Sequence, residues 1–333
     1  MPSILFRVIM CRCISAIWYS NYVLTFYNNA LTTHIRHSIA QAITTFKEPY
    51  AVLVDASGQI EDYATSTCQS RSTFAHILRD FRVLNLDRSL LKIIFTITVF
   101  IADLANWYET GICPVDSLDL QKHASLLMFR LFAWYQHSEQ DCLSENNFAK
   151  SVDQSVCLAL LICMVNATEP NAASFGPRLH KAVIKLRLSL KRVPMVRWSN
   201  VPNLLFWVLT MGALGSRSLP KVHRSTGTEA EMSFFREYIK CLFTGEMCSH
   251  TTSAEQLLTR MRTCLWIPSV FDERVKSIWV LMGLCGANEM ELDDISSSEG
   301  ELVIEDEYAL GQSTTLRFFS ANKGKSRKIS FLQ

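Results

Sequence analysis

Two groups of residues in this sequence have the types and spacing to do chemistry. Asp293, Ser297 and Glu301 recur every four residues within DDISSSEGE. On a helix they would share one face and offer hard oxygen ligands to a hard cation. Arg178, Lys181, Lys185, Arg187, Lys191 and Arg192 form the second group, a basic run with no acid between them. Such a helix either presents a solvated cationic face or receives phosphates or an acidic partner, the acidic end of the same chain included.

Around the first group, Glu289–Leu310 holds nine acidic residues and no basic one. Apolar residues interleave with the charges, and Leu292, Asp293, Asp294, Ile295, Leu302, Ile304 and Tyr308 carry the pattern. Charge repulsion keeps such a segment open and leaves its apolar residues available to a partner groove, which is the composition of a disordered activation segment. The other reading is a solvated tail without a partner.

Other chemistry is thinly represented. His34 and His37 lie three apart, but no carboxylate or thiol cluster near them completes a metal site. No G-x-S-x-G, phosphate-binding G-x-x-x-x-G-K or G-x-G-x-x-G occurs. Asn166-Ala-Thr168 fits the glycosylation pattern without a secretory signal to give it meaning. No catalytic residue, cofactor or bound metal is therefore expected, and the chain is not read as an enzyme.

The elements that would position these groups are helical. Glycine and proline are sparse in the 333 residues, at 12 and 9, which favours long uninterrupted helices. The formal net charge of +2 does not point to nucleic acid or membrane. Eleven cysteines are scattered through apolar runs, as befits a reducing compartment. Ile4–Leu24 is interrupted by Arg7 and Arg12, and Leu90–Trp107 contains Lys92 and Asp103, so neither is read as a membrane span.

Spacing predicts helices over Phe74–Leu91, Leu90–Tyr108, Leu118–Tyr135 and Val152–Val165. Gly111 and Pro114 mark the second stop, and Pro170 and Pro177 bracket a loop. Leu179, Val183, Leu186 and Leu190 make the next stripe, which Pro194 closes. Ser199 or Asn200 is the expected N-cap of an apolar helix in which Gly212 and Gly215 allow a neighbour to approach closely. Met232–Phe243, Leu257–Leu265 and Val270–Leu284 complete the set. The expectation is an all-α, multi-helical domain over residues 1–288, and a disordered tail, acidic then basic, over 289–333.

Several of these features occur in a familiar order. SVCLALLICMV is followed by Phe175 and Pro177, then LHKAVIKLRLSL, then Trp198 ahead of Pro202, then LLFWVLTMGALGS. Downstream, CLWIPSVFDERVKSIW places Trp266 and Asp272 before Trp279. This order resembles the regulatory domain of fungal-specific transcription factors, with the best match over 152–284. The resemblance implies regulation of transcription by RNA polymerase II in the nucleus. Its mechanism would be partner binding or dimerisation through apolar helix faces, with or without a small effector.

Members of that family usually read DNA with a binuclear zinc cluster that begins C-x2-C-x6-C. Here Cys11 and Cys13 are one residue apart and no C-x2-C exists. Direct sequence-specific DNA binding is not expected from this sequence, so the protein partner would be another transcription factor or a second copy. The Asp293, Ser297 and Glu301 pattern resembles the second metal motif of class I terpene synthases, which implies a magnesium-dependent diphosphate lyase. The aspartate-rich partner motif, DDxxD or DDxxE, is absent upstream.

Overall fold

Sequence spacing puts the boundary between two helices at Leu90–Leu91, but the chain breaks earlier, at Leu84–Asp87. In the computed structural model, which describes residues 36–47, 63, 71–112, 115–144, 148–168, 176–217, 226–243 and 253–285, α2 is Arg71–Val83 and α3 is Arg88–Thr110. Asn85 adopts φ 55°, a conformation that a short polar side chain tolerates. The Asp87 carboxylate then accepts the N–H groups of Ser89 and Leu90, satisfying two orphan donors of α3. The helix stops at Gly111, whose φ of 74° lets its N–H reach the Trp107 carbonyl at 2.8 Å.

Residues 36–45 form α1, and the remaining helices are α4 (Ser117–Ser144), α5 (Phe148–Thr168), α6 (Gly176–Arg192), α7 (Pro202–Arg217), α8 (Thr226–Phe243), α9 (Ala254–Met261) and α10 (Pro268–Leu281). A 3-10 turn at Met195–Trp198 joins α6 to α7. No strand occurs among the described residues, so the all-α class holds. The expected tail over 289–333, and the segment before residue 36, lie outside the described residues.

At the centre stands α5. It packs on α4, α6 and α7, with α3 and α10 on its flanks, and Val156 to Val165 are all buried. A helix that is apolar all round can bury every face only in this position. Around it the predicted stripes meet their neighbours: Leu179, Val183, Leu186 and Leu190 are all buried, as are Phe235 and Ile239 of α8. Each such side chain contributes about 1.5–3 kcal/mol by leaving water.

Two helices, α3 and residues Lys150–Thr168 of α5, are long and apolar enough to cross a membrane by length and composition. The α5 window is 89% buried within the bundle and the α3 window 44%. Within α3, Asp103 accepts the Tyr63 hydroxyl at 2.6 Å.

Three local expectations need correction. Pro177 lies in the first turn of α6 rather than in a loop, where its missing N–H costs nothing. α4 runs well beyond Tyr135, to Ser144, because Glu139 in the extension meets Lys185 of α6. The helix α7 is not started by a Ser199 or Asn200 side chain. Ser199 donates its hydroxyl to the Val196 carbonyl, and the Val201 carbonyl accepts the first N–H groups of α7 from Leu204 and Leu205.

Candidate functional site

Packing around α6 decides what its basic stripe can do. Lys181 donates to the Thr45 carbonyl at the end of α1, at 2.9 Å. Lys185 pairs with Glu139 of α4 and stands over two rings, 5.2 Å from the centroid of Phe46 and 5.5 Å from that of Tyr135. Arg187 meets the buried carboxylate of Glu231 on α8 at 3.1 Å, and Lys191 lies 5.7 Å above the Phe234 ring. Four of the six basic residues are thus held by α1, α4 and α8. They act as a clasp on the inner helices more than as an open cationic strip. Arg178 lies in the first turn of α6, and Arg192 is exposed at its end.

The Phe46 end of this clasp is built closely. Phe46 sits edge-on to Phe132 and Tyr135, at 5.2 and 5.7 Å, and its carbonyl accepts from Gln136 at 3.1 Å. Tyr135 donates to Glu139 at 3.2 Å, and burial, reinforced by that carboxylate, pushes its pKa up. At the other end of α6 the surface opens. Leu188, Met195 and Val196 are exposed beside Lys191, Arg192 and Arg197, which gives a mixed apolar and cationic patch.

The tryptophans singled out in the sequence converge around α7. Trp198 and Trp279 are buried, and Trp279 stacks on Phe206 with ring centroids 5.5 Å apart. Trp207 donates its indole N–H to the Leu265 carbonyl at 2.9 Å. Trp266 donates to Asp272 at 2.7 Å, and Arg262 reaches the other oxygen of the same carboxylate at 2.5 Å. Asp272 therefore ties the α9–α10 connection to the start of α10.

Sequence reasoning missed a carboxylate pair. Asp153 of α5 is half-buried near Asp87, and its pKa is pushed up to about 7, by burial first and by the Asp87 charge second among the raising influences. An Asp87 backbone hydrogen bond, Arg197 and Lys150 oppose the rise. Asp87 itself is held below its ordinary value, chiefly by the Ser89 hydroxyl, and accepts the Trp134 indole at 3.3 Å. Asp153 stands in the polar stretch KSVDQS, ahead of the apolar run, and nothing in its spacing points to Asp87.

Among the described residues no group of three or more histidines, cysteines or carboxylates could hold a metal. His37 is exposed on α1, and His34 lies outside the described residues. Asn166 of the glycosylation pattern is buried, with its amide donating to the Ile162 carbonyl at 2.8 Å. The magnesium pattern Asp293, Ser297 and Glu301 lies outside the described residues, as does the acidic segment with Leu292, Asp294, Ile295, Leu302, Ile304 and Tyr308. No protein-family model matches the chain, and no match is found among curated proteins or solved structures.

Proposed function

We propose that this chain is a helical regulatory domain that acts on transcription by RNA polymerase II in a fungal nucleus, through protein partners and without catalysis. The observation that carries the reading is the order of apolar helices and tryptophans from Val152 to Trp279, in an all-helical frame where Trp198, Trp207, Trp266 and Trp279 pack around α7 and its neighbours. With no C-x2-C in the sequence, and so none in a second copy, DNA is reached through another factor.

The partner face is the exposed end of α6 and the following 3-10 turn. Lys191, Arg192 and Arg197 supply charge, and Leu188, Met195 and Val196 supply apolar contact. Such a surface suits a partner helix or segment that carries acids between apolar residues. The test is a tagged full chain in fungal cells, beside a variant with Lys191→Glu, Arg192→Glu and Arg197→Glu. Nuclear accumulation of both, with partner co-purification reduced at least tenfold in the variant, is the expected result. Exclusion of the unaltered chain from the nucleus would overturn the reading.

A further inference from the structure

A surface that sets cations among exposed apolar side chains is complementary to a segment with acids among apolar residues. At the end of α6 and in the turn that follows, Lys191, Arg192 and Arg197 are exposed together with Leu188, Met195 and Val196. Leu188 lies one helical turn before Lys191 and Arg192, so apolar and cationic side chains share a face. Among the described residues none of these three cations makes an ion pair. Another exposed set of cations, Arg82, Arg88 and Lys92, is interrupted in sequence by Asp87 and flanked by Asp80.

The chain itself carries a segment of the reverse pattern. Residues 301–310, outside the described residues, read ELVIEDEYAL. Leu302, Val303 and Ile304 stand beside Glu305, Asp306 and Glu307, an apolar triplet and an acidic triplet against the same two sets on the α6 end. Tyr308 adds a ring on which a guanidinium can stack. Reach is sufficient. Glu301 follows Cys285, the last described residue, by 16 residues. That length of extended chain spans about 55 Å. A globular body of roughly 250 residues has a radius of gyration of about 18 Å and measures about 45 Å across.

We propose that residues 301–310 dock on the α6 end, over residues 188–197, and cover the partner face from within the same chain. The docking rests on the partner-face reading and adds its regulation, because the segment competes with the external partner for one surface. Glu305, Asp306 and Glu307 meet Lys191, Arg192 and Arg197, while Leu302, Val303 and Ile304 cover Leu188, Met195 and Val196. The tether makes a weak contact sufficient. At an effective concentration of about 1 mM, a segment that binds with a Kd of about 0.1 mM when free keeps the face covered about nine-tenths of the time. An external partner then binds about tenfold more weakly than it would to an open face.

Photocrosslinking of the full chain, with benzoylphenylalanine in place of Tyr308, tests this. An equal mixture of nitrogen-14 and nitrogen-15 chains tells crosslinks within one chain from those between two. Peptide mapping should find the main crosslink within one chain, on residues 188–197. Lys191→Glu, Arg192→Glu and Arg197→Glu together should lower its yield at least fivefold, and adding Glu305→Lys, Asp306→Lys and Glu307→Lys should restore at least half of it. Arg82→Glu, Arg88→Glu and Lys92→Glu, the same change of charge on α2 and α3, should leave the yield unaltered. Crosslinks centred on another surface, or between chains, overturn the proposal, and so does an equal loss in the α2–α3 control or no recovery on charge reversal. Should the α6 variant fail to fold by circular dichroism, Glu305→Lys, Asp306→Lys and Glu307→Lys decide alone, and an unaltered yield in them overturns it. The partner-face reading fails separately. If the α6 variant loses the crosslink but keeps its co-purifying partners, that reading falls, and competition with a partner falls with it. If the variant loses partners while the crosslink never forms, the docking alone falls.

Discussion

Gly212 of α7 lies against the ring of Phe235 of α8, so closely that a Cβ on Gly212 would come within 2.4 Å of both Cε1 and Cζ. The ring is fully buried, with no room to swing aside. Gly215 does the same one turn on, where a Cβ would lie 2.8 Å from Val183 of α6. The two glycines let α6 and α8 approach α7, and through it the core. Gly212→Ala should cost about 3 kcal/mol in chemical denaturation, at the upper end of overpacking effects. Adding Phe235→Leu should return about 1 kcal/mol or more, a coupling that independent sites would not show.

Two buried tryptophans should respond differently to the same change. Trp207 satisfies its N–H on Leu265, while the N–H of Trp279 is buried with no partner. Trp207→Phe strands a buried carbonyl and opens a void. Trp279→Phe opens a similar void but removes an unsatisfied donor, which costs about 1–3 kcal/mol where it stands. Urea unfolding should therefore find Trp279→Phe less destabilised than Trp207→Phe by about 1–2 kcal/mol.

Asp153 makes stability depend on pH. Its ordinary value of 3.8 rises to about 7 in the fold, so between those values the folded state holds more protons than the unfolded one. Stability from this group is then full below about pH 4, falls as pH rises to about 7, and is flat above. Its partly exposed position screens the effect, leaving about 1–2 kcal/mol. Asp153→Asn should gain that much over the unaltered chain at pH 8 and nothing at pH 4, measured by denaturant midpoints. The same gain at both values would sink the linkage.

Cys157, Cys163 and Cys264 are buried, and burial pushes their thiols up, the last two to about 12. Since the thiolate is the reactive species, all three should resist a maleimide at pH 7.5 until the chain unfolds. Peptide mapping of labelled protein reads this site by site. Rapid labelling of Cys157 in native buffer would contradict the central placement of α5.

The helices were readable because their apolar residues repeat every three or four positions, and the packing role of Gly212 and Gly215 followed from two missing side chains in an all-apolar run. The break at Leu84–Asp87 was not readable, because Asn85 and Asp87 look like ordinary polar positions until the turn places the carboxylate under α3. Nor were the partners of the basic stripe. Lys185 finds Glu139 across 46 residues of sequence, and spacing along one helix says nothing about such a contact. Arg274 lay unnoticed for the same reason. Its hydrogen-bond partner, Asn166, lies on another helix.

The regulatory reading meets its most direct test in a tethered reporter. The full chain, fused to a heterologous DNA-binding module, is measured for transcription from a promoter carrying that module's site in fungal cells. Transcription should change at least severalfold relative to the module alone, and the change should be lost on Lys191→Glu, Arg192→Glu and Arg197→Glu at equal abundance. Transcription equal to that of the module alone, from a folded and nuclear fusion, would contradict it.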